Sequence, residues 1–148
     1  MFAILSISDS DKHRNTAIQE YEKRLGKMLC IENIKPAKNG THEQIIQKDT
    51  ENIIQILEKK YQQHYKILMS KDGKLTNTEE LEKTIHNHNH VVFIIGGPYG
   101  LHENQLDSII NEKIAFGKIT LPHGLAKLTL AEQIYRCETI RSGKSYHY

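Results

Sequence analysis

Val91-Val92-Phe93-Ile94-Ile95-Gly96-Gly97-Pro98-Tyr99-Gly100 opens with the strongest strand signal in the chain. Five apolar residues run without alternation, so a strand made from them should be buried on both faces. That pattern marks a central strand of a parallel sheet. The glycines and proline that follow end the strand in a tight loop. Towards the N-terminus, Tyr65–Ser70 reads as a strand, Lys71-Asp72-Gly73-Lys74 as a turn, and Thr76 with Glu79 as a capping box opening a helix through Ile85. Ile46, Thr50, Ile53 and Leu57 sit at offsets that place one buried stripe on a long helix. Pro36 closes a strand over Met28–Ile34. Ala17, Ile18, Tyr21 and Leu25 predict a helix over residues 14–26, ended by Gly26, and Phe2–Ser8 is β-like. Towards the C-terminus come a short helix at 103–112, a strand at 114–119 and a helix at about 124–141 that buries Leu130, Ile134, Cys137 and Ile140. Strands alternate with helices throughout. The expectation is one α/β domain, residues 1–148, with a mostly parallel sheet and helices on both faces.

The 148 residues are 38% apolar and 26% charged, which excludes a disordered or collagen-like chain. No apolar run approaches the roughly 18 residues of a membrane span. The start, Met1-Phe2-Ala3-Ile4-Leu5, lacks the basic region of a signal peptide. Cys30 and Cys137 share no spacing motif, so two reduced thiols in a cytoplasm are expected. The net charge of +2 is too mild to establish nucleic-acid binding. Residues 118–148 are locally more basic: Lys118, Lys127, Arg136, Arg141 and Lys144 outnumber Glu132 and Glu138. Such an end could meet phosphate, or simply be a solvated helix face.

Six of the nine glycines and two of the three prolines lie after residue 95, most of them in Gly96–Gly100 and in 117–124. Each cluster follows a predicted strand, and ligands of open α/β sheets bind at the carboxyl ends of strands. The two loops are therefore natural walls of one site. The first loop is neither a P-loop nor a GxGxxG turn, which disfavours triphosphates and dinucleotides. His86, His88 and His90 alternate as a metal site could require, but no neighbouring Cys or carboxylate completes a ligand set. Thr120-Leu121-Pro122-His123-Gly124 opens the last helix, where free backbone N–H groups and His123 could meet a ligand. Thr129, Glu132, Gln133, Arg136 and Thr139 form a polar stripe on that helix, with Glu132 and Arg136 spaced to pair. The Tyr146-His147-Tyr148 tail is either frayed or folded over a site where its rings can stack on bases.

The motifs Val91–Leu101, Ile119-Thr120-Leu121-Pro122-His123, Leu130-Ala131-Glu132-Gln133-Ile134-Tyr135-Arg136 and Tyr146-His147, in that order and spacing, closely resemble the H-type bacterial 23S ribosomal RNA pseudouridine-N3 methyltransferases of the SPOUT superfamily. Tyr21-Glu22-Lys23-Arg24-Leu25 and the total length agree with this resemblance. It implies a SPOUT-type α/β fold with a C-terminal trefoil knot, a homodimer, S-adenosylmethionine as cofactor, and a pseudouridine of a 23S stem-loop on assembled ribosomes as substrate. By the resemblance, Met69, where relatives usually carry Leu, is an apolar cofactor contact, and Gly96 and Gly97 approach the cofactor. Phe116, Gly117, Lys118, Ile119, Thr120 and Leu121 match the loop around adenine and methionine. His123, Glu132, Tyr146 and His147 match the target-base pocket. Arg136 and Lys127 would position RNA, with Arg141 and Lys144 adding to that basic end. Lys127 stands where relatives often have Arg, and Tyr148 where they often end in a basic residue.

The implied chemistry is methyl transfer from a sulfonium to N3, with His147 or His123 removing the N3 proton and Glu132 orienting that group. The electrophile arrives activated, so no metal is expected. Three alternatives stay open: a SPOUT methyltransferase acting on another base, a non-catalytic ribosome-binding factor, and a metal module built on His86, His88 and His90.

Overall fold

The computed structural model describes residues 1–9 and 11–146, so the expectations placed on His147 and Tyr148 lie outside the described residues. The elements are β1 (Phe2–Ile7), α1 (Lys12–Leu25), β2 (Leu29–Ile34), α2 (His42–Lys60), β3 (Tyr65–Leu75), α3 (Thr78–His86), β4 (Val91–Ile95), α4 (Glu103–Leu106), β5 (Glu112–Ala115) and α5 (His123–Arg141). The five strands form one parallel sheet in the order β2-β1-β4-β3-β5. The apolar run of β4 is the middle strand, and all five of its residues are buried.

Strand periodicity divides β4 between two cores. Val91, Phe93 and Ile95 pack with Leu25 of α1, Leu81 and Ile85 of α3, and Leu130, Ile134 and Cys137 of α5. Val92 and Ile94 pack on the other face with Ile53 and Leu57 of α2 and Leu106 of α4. Helices thus cover both faces, as expected. Burying a side chain such as Phe93 contributes about 1.5–3 kcal/mol. Cys137 lies in the first core, where burial pushes its thiol up to about 12, while Cys30 is exposed on β2. No helix among the described residues is long and apolar enough to cross a membrane.

Several boundaries differ from expectation for local reasons. Residues 71–74 do not simply turn: β3 runs on to Leu75, and Ile114 of β5 pairs with both Met69 and Lys74 across a bulge. Gly73 backs directly onto β5, where a Cβ would lie 2.7 Å from the backbone nitrogen of Ile114. The cap of α3 is Asn77 rather than Thr76. Its extended backbone lets Oδ1 accept the Glu80 N–H while Glu80 accepts the Asn77 N–H. The helix after the glycine loop stops at Leu106. Strand β5 begins early because Asn111 already exchanges hydrogen bonds with Lys66. It ends at Ala115 because its one neighbour, β3, ends opposite it at Leu75, which leaves 116–121 as a loop. The buried face of α2 carries Ile45 and Asp49 beside Thr50, Ile53 and Leu57, and Ile46 is only half-buried.

Candidate functional site

Because all strands run the same way, the carboxyl ends of β3, β4 and β5 open onto one edge. There, Met69–Lys71, Ile95–Gly97 and Ile114–Gly117 bound a pocket of about 260 Å³. The loop 119–121 and the first turns of α5 complete its wall through Ile119, Thr120, Leu121, His123 and Ala126. The floor is apolar and the glycines bring backbone to the surface. Two side chains of opposite charge, Lys71 and Glu103, stand on the lining.

The glycines have separate physical reasons. Gly97 lies so close to β1 that a Cβ would sit 2.9 Å from Cγ2 of Ile7 and 3.4 Å from Oδ2 of Asp49. A Cβ on Gly96 would meet Leu101 at 3.2 Å. Gly100 has φ +81°, a left-handed conformation that suits glycine, and its N–H donates to the Gly97 carbonyl at 3.0 Å. This loop is pinned to α2 from outside. The ring of Tyr99 stacks on His42 with centroids 4.1 Å apart. His102 meets Glu43 at 2.8 Å, and its backbone N–H donates to Oγ1 of Thr50 at 3.0 Å. The pocket wall is therefore a held loop.

Of the residues expected around a cofactor, Met69, Gly96, Gly97, Phe116 and Gly117 line this pocket together with Ile119, Thr120 and Leu121. Lys118 does not line it and is exposed. Lys71 and Glu103 line it as well, although in the sequence Lys71 has the polarity of a turn and Glu103 merely begins a short helix. His123, the first residue of α5, lines the pocket and also a neighbouring depression with Asp9, Asp11 and Arg14.

The other expected site residues gather elsewhere on α5. Glu132 lies nine residues beyond His123, about 13.5 Å along the helix at 1.5 Å per residue. Its Oε1 accepts from Nη2 of Arg136 at 2.7 Å and from Nε at 3.0 Å. These bonds hold the guanidinium above its ordinary pKa. Tyr146 folds back onto this pair. Its hydroxyl donates to Glu132 at 3.5 Å, and the Arg136 guanidinium carbon lies 4.9 Å from its ring centroid. The Tyr135 ring meets it edge-on at 4.9 Å. The hydrogen-bonded Tyr21 hydroxyl, aided by burial, pushes the Tyr146 phenol up to about 12. Within one chain, then, Glu132 and Tyr146 stand together but apart from the His123 pocket.

Lys127 corrects an expectation. Placed to position RNA, it is instead 3% exposed, and its ammonium donates to Oγ of Ser8 at 3.0 Å and Oδ1 of Asn33 at 2.6 Å. Burial pulls its pKa down, and it joins α5 to β1 and β2 rather than facing a phosphate. Arg141 and Lys144 are exposed at the far end of α5. The three alternating histidines go to separate surroundings. His86 lies between Glu82 and Glu138 at 2.7 Å each. His88 stacks on Tyr65, and His90 approaches His64. Among the described residues, no group of three or more His, Cys, Asp or Glu side chains is arranged to hold a metal ion.

A pocket of this make suits a ligand gripped by backbone and apolar contacts, with Lys71 and with Glu103, which pairs with Lys113 at 3.3 Å, as charged groups on its lining. Comparison with known proteins gives a consistent result. The family described as "Predicted SPOUT methyltransferase" matches residues 2–147. The chain is 36% identical over 147 residues to the ribosomal RNA large subunit methyltransferase H of Streptococcus uberis, covering 93% of this chain and 92% of that one. The proteins of the same name from Oenococcus oeni and Francisella philomiragia are 34% and 32% identical, with 93% and 97% of this chain covered, and 91% and 97% of theirs. A Bacillus anthracis crystal structure described as that of a candidate RNA methyltransferase superposes with a TM-score of 0.61 over the whole of both chains. At 11% identity that likeness speaks for the fold alone.

Proposed function

Since the chain belongs to the SPOUT methyltransferase family, we propose that it transfers the methyl group of S-adenosylmethionine to N3 of a pseudouridine in 23S ribosomal RNA, on the assembled ribosome of a bacterial cytoplasm. The observation that carries this reading is the glycine-walled pocket at the carboxyl ends of β3, β4 and β5, with His123 on its rim.

The residues present fit the cofactor. Met69, Ile95 and Phe116 offer apolar surface to adenine, and the backbone of 117–121 offers donors and acceptors to its edge. Glu103 suits the amino group of the methionine end and Lys71 its carboxylate. When bound, S-adenosylmethionine supplies a methyl group already activated by its sulfonium. What remains for the protein is alignment, with reacting atoms about 3–3.5 Å apart, and removal of the N3 proton. We assign the second task to His123, which lines the pocket. His147 is the other candidate for proton acceptor.

Glu132, Arg136 and Tyr146 enter through a second copy of the chain. Their cluster is too far along α5 to reach the base beside their own His123. A homodimer would bring one copy's cluster to the other's pocket, where Tyr146 could stack on the target and Glu132 orient the base. Ile119, 80% exposed, and the half-open Leu121 and Leu125 form an apolar lip suited to such cover. Arg136, Arg141 and Lys144 then face the RNA. The trefoil knot belongs to the same proposal: α5 returns from the β5 edge of the sheet to pack over β1 and β4.

Calorimetric titration with S-adenosylmethionine tests the pocket. Leu121→Asp, at an exposed lip position, should weaken binding at least tenfold while leaving the unfolding temperature unchanged. His123→Ala should bind the cofactor but lose methyl transfer. Equal cofactor affinity in Leu121→Asp, or full transfer rate in His123→Ala, would contradict the assignment.

A further inference from the structure

A parallel sheet has two unlike edges, and the reading above uses only the carboxyl one. At the amino edge, the starts of β3 and β4 and the residue before β5 enclose a second pocket of about 640 Å³. Its lining is polar and basic: His64, Lys66, His88 and His90 contribute to it, and no Asp or Glu does. Lys66 is 9% exposed, and among the described residues its ammonium donates only to the carbonyls of Gln62 at 3.1 Å and His64 at 3.0 Å. Burial alone depresses its pKa, with no acidic neighbour to restore it. A buried ammonium held by two carbonyl dipoles and no counter-ion is costly, and an anion would relieve it.

Three further observations point the same way. Nδ1 of His64 is buried without a hydrogen-bond partner among the described residues. Burial first, then the neighbouring His90 and Lys66, lowers the pKa of that ring, and the Lys66 ammonium, 3.0 Å from the His64 carbonyl, sets a positive local field. That field favours an anion and opposes a divalent cation. Beside it, the His88 imidazole lies flat on the Tyr65 ring, centroids 3.7 Å apart and planes 10° apart, with His88 itself exposed. The outer face of His88 is a platform on which a planar base can stack. The Glu112 carboxylate is turned to the Tyr65 hydroxyl at 3.4 Å and does not line the pocket.

We propose that the amino-edge pocket binds a nucleoside phosphate, with the phosphate against Lys66, His64 and His90 and the base on the His88–Tyr65 stack. The ligand is either one nucleotide of an RNA strand or a free nucleotide, since both present the same chemistry. The site is independent of the methyl-transfer pocket and stands or falls without it.

The test uses the full chain, with the histidine ring resonances followed by NMR during titration with uridine 5′-monophosphate, uridine and octauridylate. The monophosphate should shift His64, His88 and His90, and uridine at the same concentration should not. His88→Ala, an exposed position, should weaken monophosphate binding at least threefold, and Lys66→Met at least tenfold. Both variants should keep the parent's S-adenosylmethionine affinity, which shows that they fold and separates this site from the other. Octauridylate binding tenfold tighter than the monophosphate supports a strand as the source, and equal or weaker binding supports a free nucleotide. Equal shifts with uridine, no shift at the three histidines, or unaltered affinity in both variants overturns the proposal.

Discussion

Gly97→Ala probes the point where the pocket wall touches the core. A Cβ there would lie 2.9 Å from Cγ2 of Ile7, against about 3.5–4.0 Å for relaxed carbon contacts. The shortfall is about 0.6 Å at least. Ile7 is fully buried in β1 and β-branched, so it cannot swing aside as a flexible chain end would. Either the loop retreats or Ile7 leaves its rotamer, and overpacking of this kind costs about 1–3 kcal/mol. The φ of Gly97 is not positive, so alanine also recovers about 0.4–1 kcal/mol through the unfolded chain. The net loss is about 0–2.6 kcal/mol. At about 4 °C per kcal/mol for a chain of this length, the unfolding temperature should fall by up to about 10 °C. Gly117→Ala is the matched control, because its nearest neighbour to a new Cβ is 4.0 Å away. It lines the same pocket and gains the same unfolded-chain contribution without the clash, so it should unfold about 2–4 °C above the parent and about 4–12 °C above Gly97→Ala. Thermal unfolding followed by circular dichroism reads both. Gly97→Ala unfolding within about 1 °C of Gly117→Ala would contradict the clash at Ile7.

Three further outcomes are expected. Burial raises the Asp49 carboxyl above its ordinary range, partly offset by the Ala37 N–H that it accepts at 2.9 Å. An acid whose folded pKa is raised supports folding when protonated, and loses that support as pH rises through the raised value. Asp49→Asn should therefore be more stable than the parent at pH 7 in urea unfolding, with the gain shrinking towards pH 4, and a gain that grows on acidification would be wrong for this cause. Lys127→Gln should cost about 1–3 kcal/mol of stability through its disrupted buried contacts and leave the salt dependence of ribosome binding unchanged, whereas exposed Arg141→Gln should reduce that slope by about one. Phe93→Ala, in the middle of the central strand, should cost about 3–5 kcal/mol in the same unfolding assay.

The parts of the fold that can be read from sequence are those written in local pattern. The unbroken apolar run of β4 places it mid-sheet because only a strand covered on both faces can afford such a run. The glycine clusters mark the carboxyl edge because tight turns and close backbone approach need them there. What stays hidden depends on partners distant in the chain. Ser70-Lys71-Asp72-Gly73-Lys74 has the polarity of a turn, and only pairing with β5 makes it a bulged strand that also supplies Lys71 to the pocket. Lys127 has the composition of a surface residue. It is buried because Ser8 and Asn33, 119 and 94 residues away, supply acceptors for its ammonium. The separation of Glu132 from His123 was countable from helix geometry, but the folding back of Tyr146 onto Glu132 and Arg136 depends on the Tyr21–Tyr135 surface beneath it.

Transfer of labelled methyl from S-adenosylmethionine to ribosomes lacking the modification, followed by mapping of the labelled nucleotide, tests the central claim most directly. Assembled ribosomes, isolated large subunits and protein-free RNA should be compared at one salt concentration, because a chain of charge +2 gains little from bare phosphate. Label is expected at N3 of one large-subunit pseudouridine, strongest on assembled ribosomes and weak on protein-free RNA. Label on another base, strong turnover on protein-free RNA, or no transfer from a protein that binds the cofactor would contradict it.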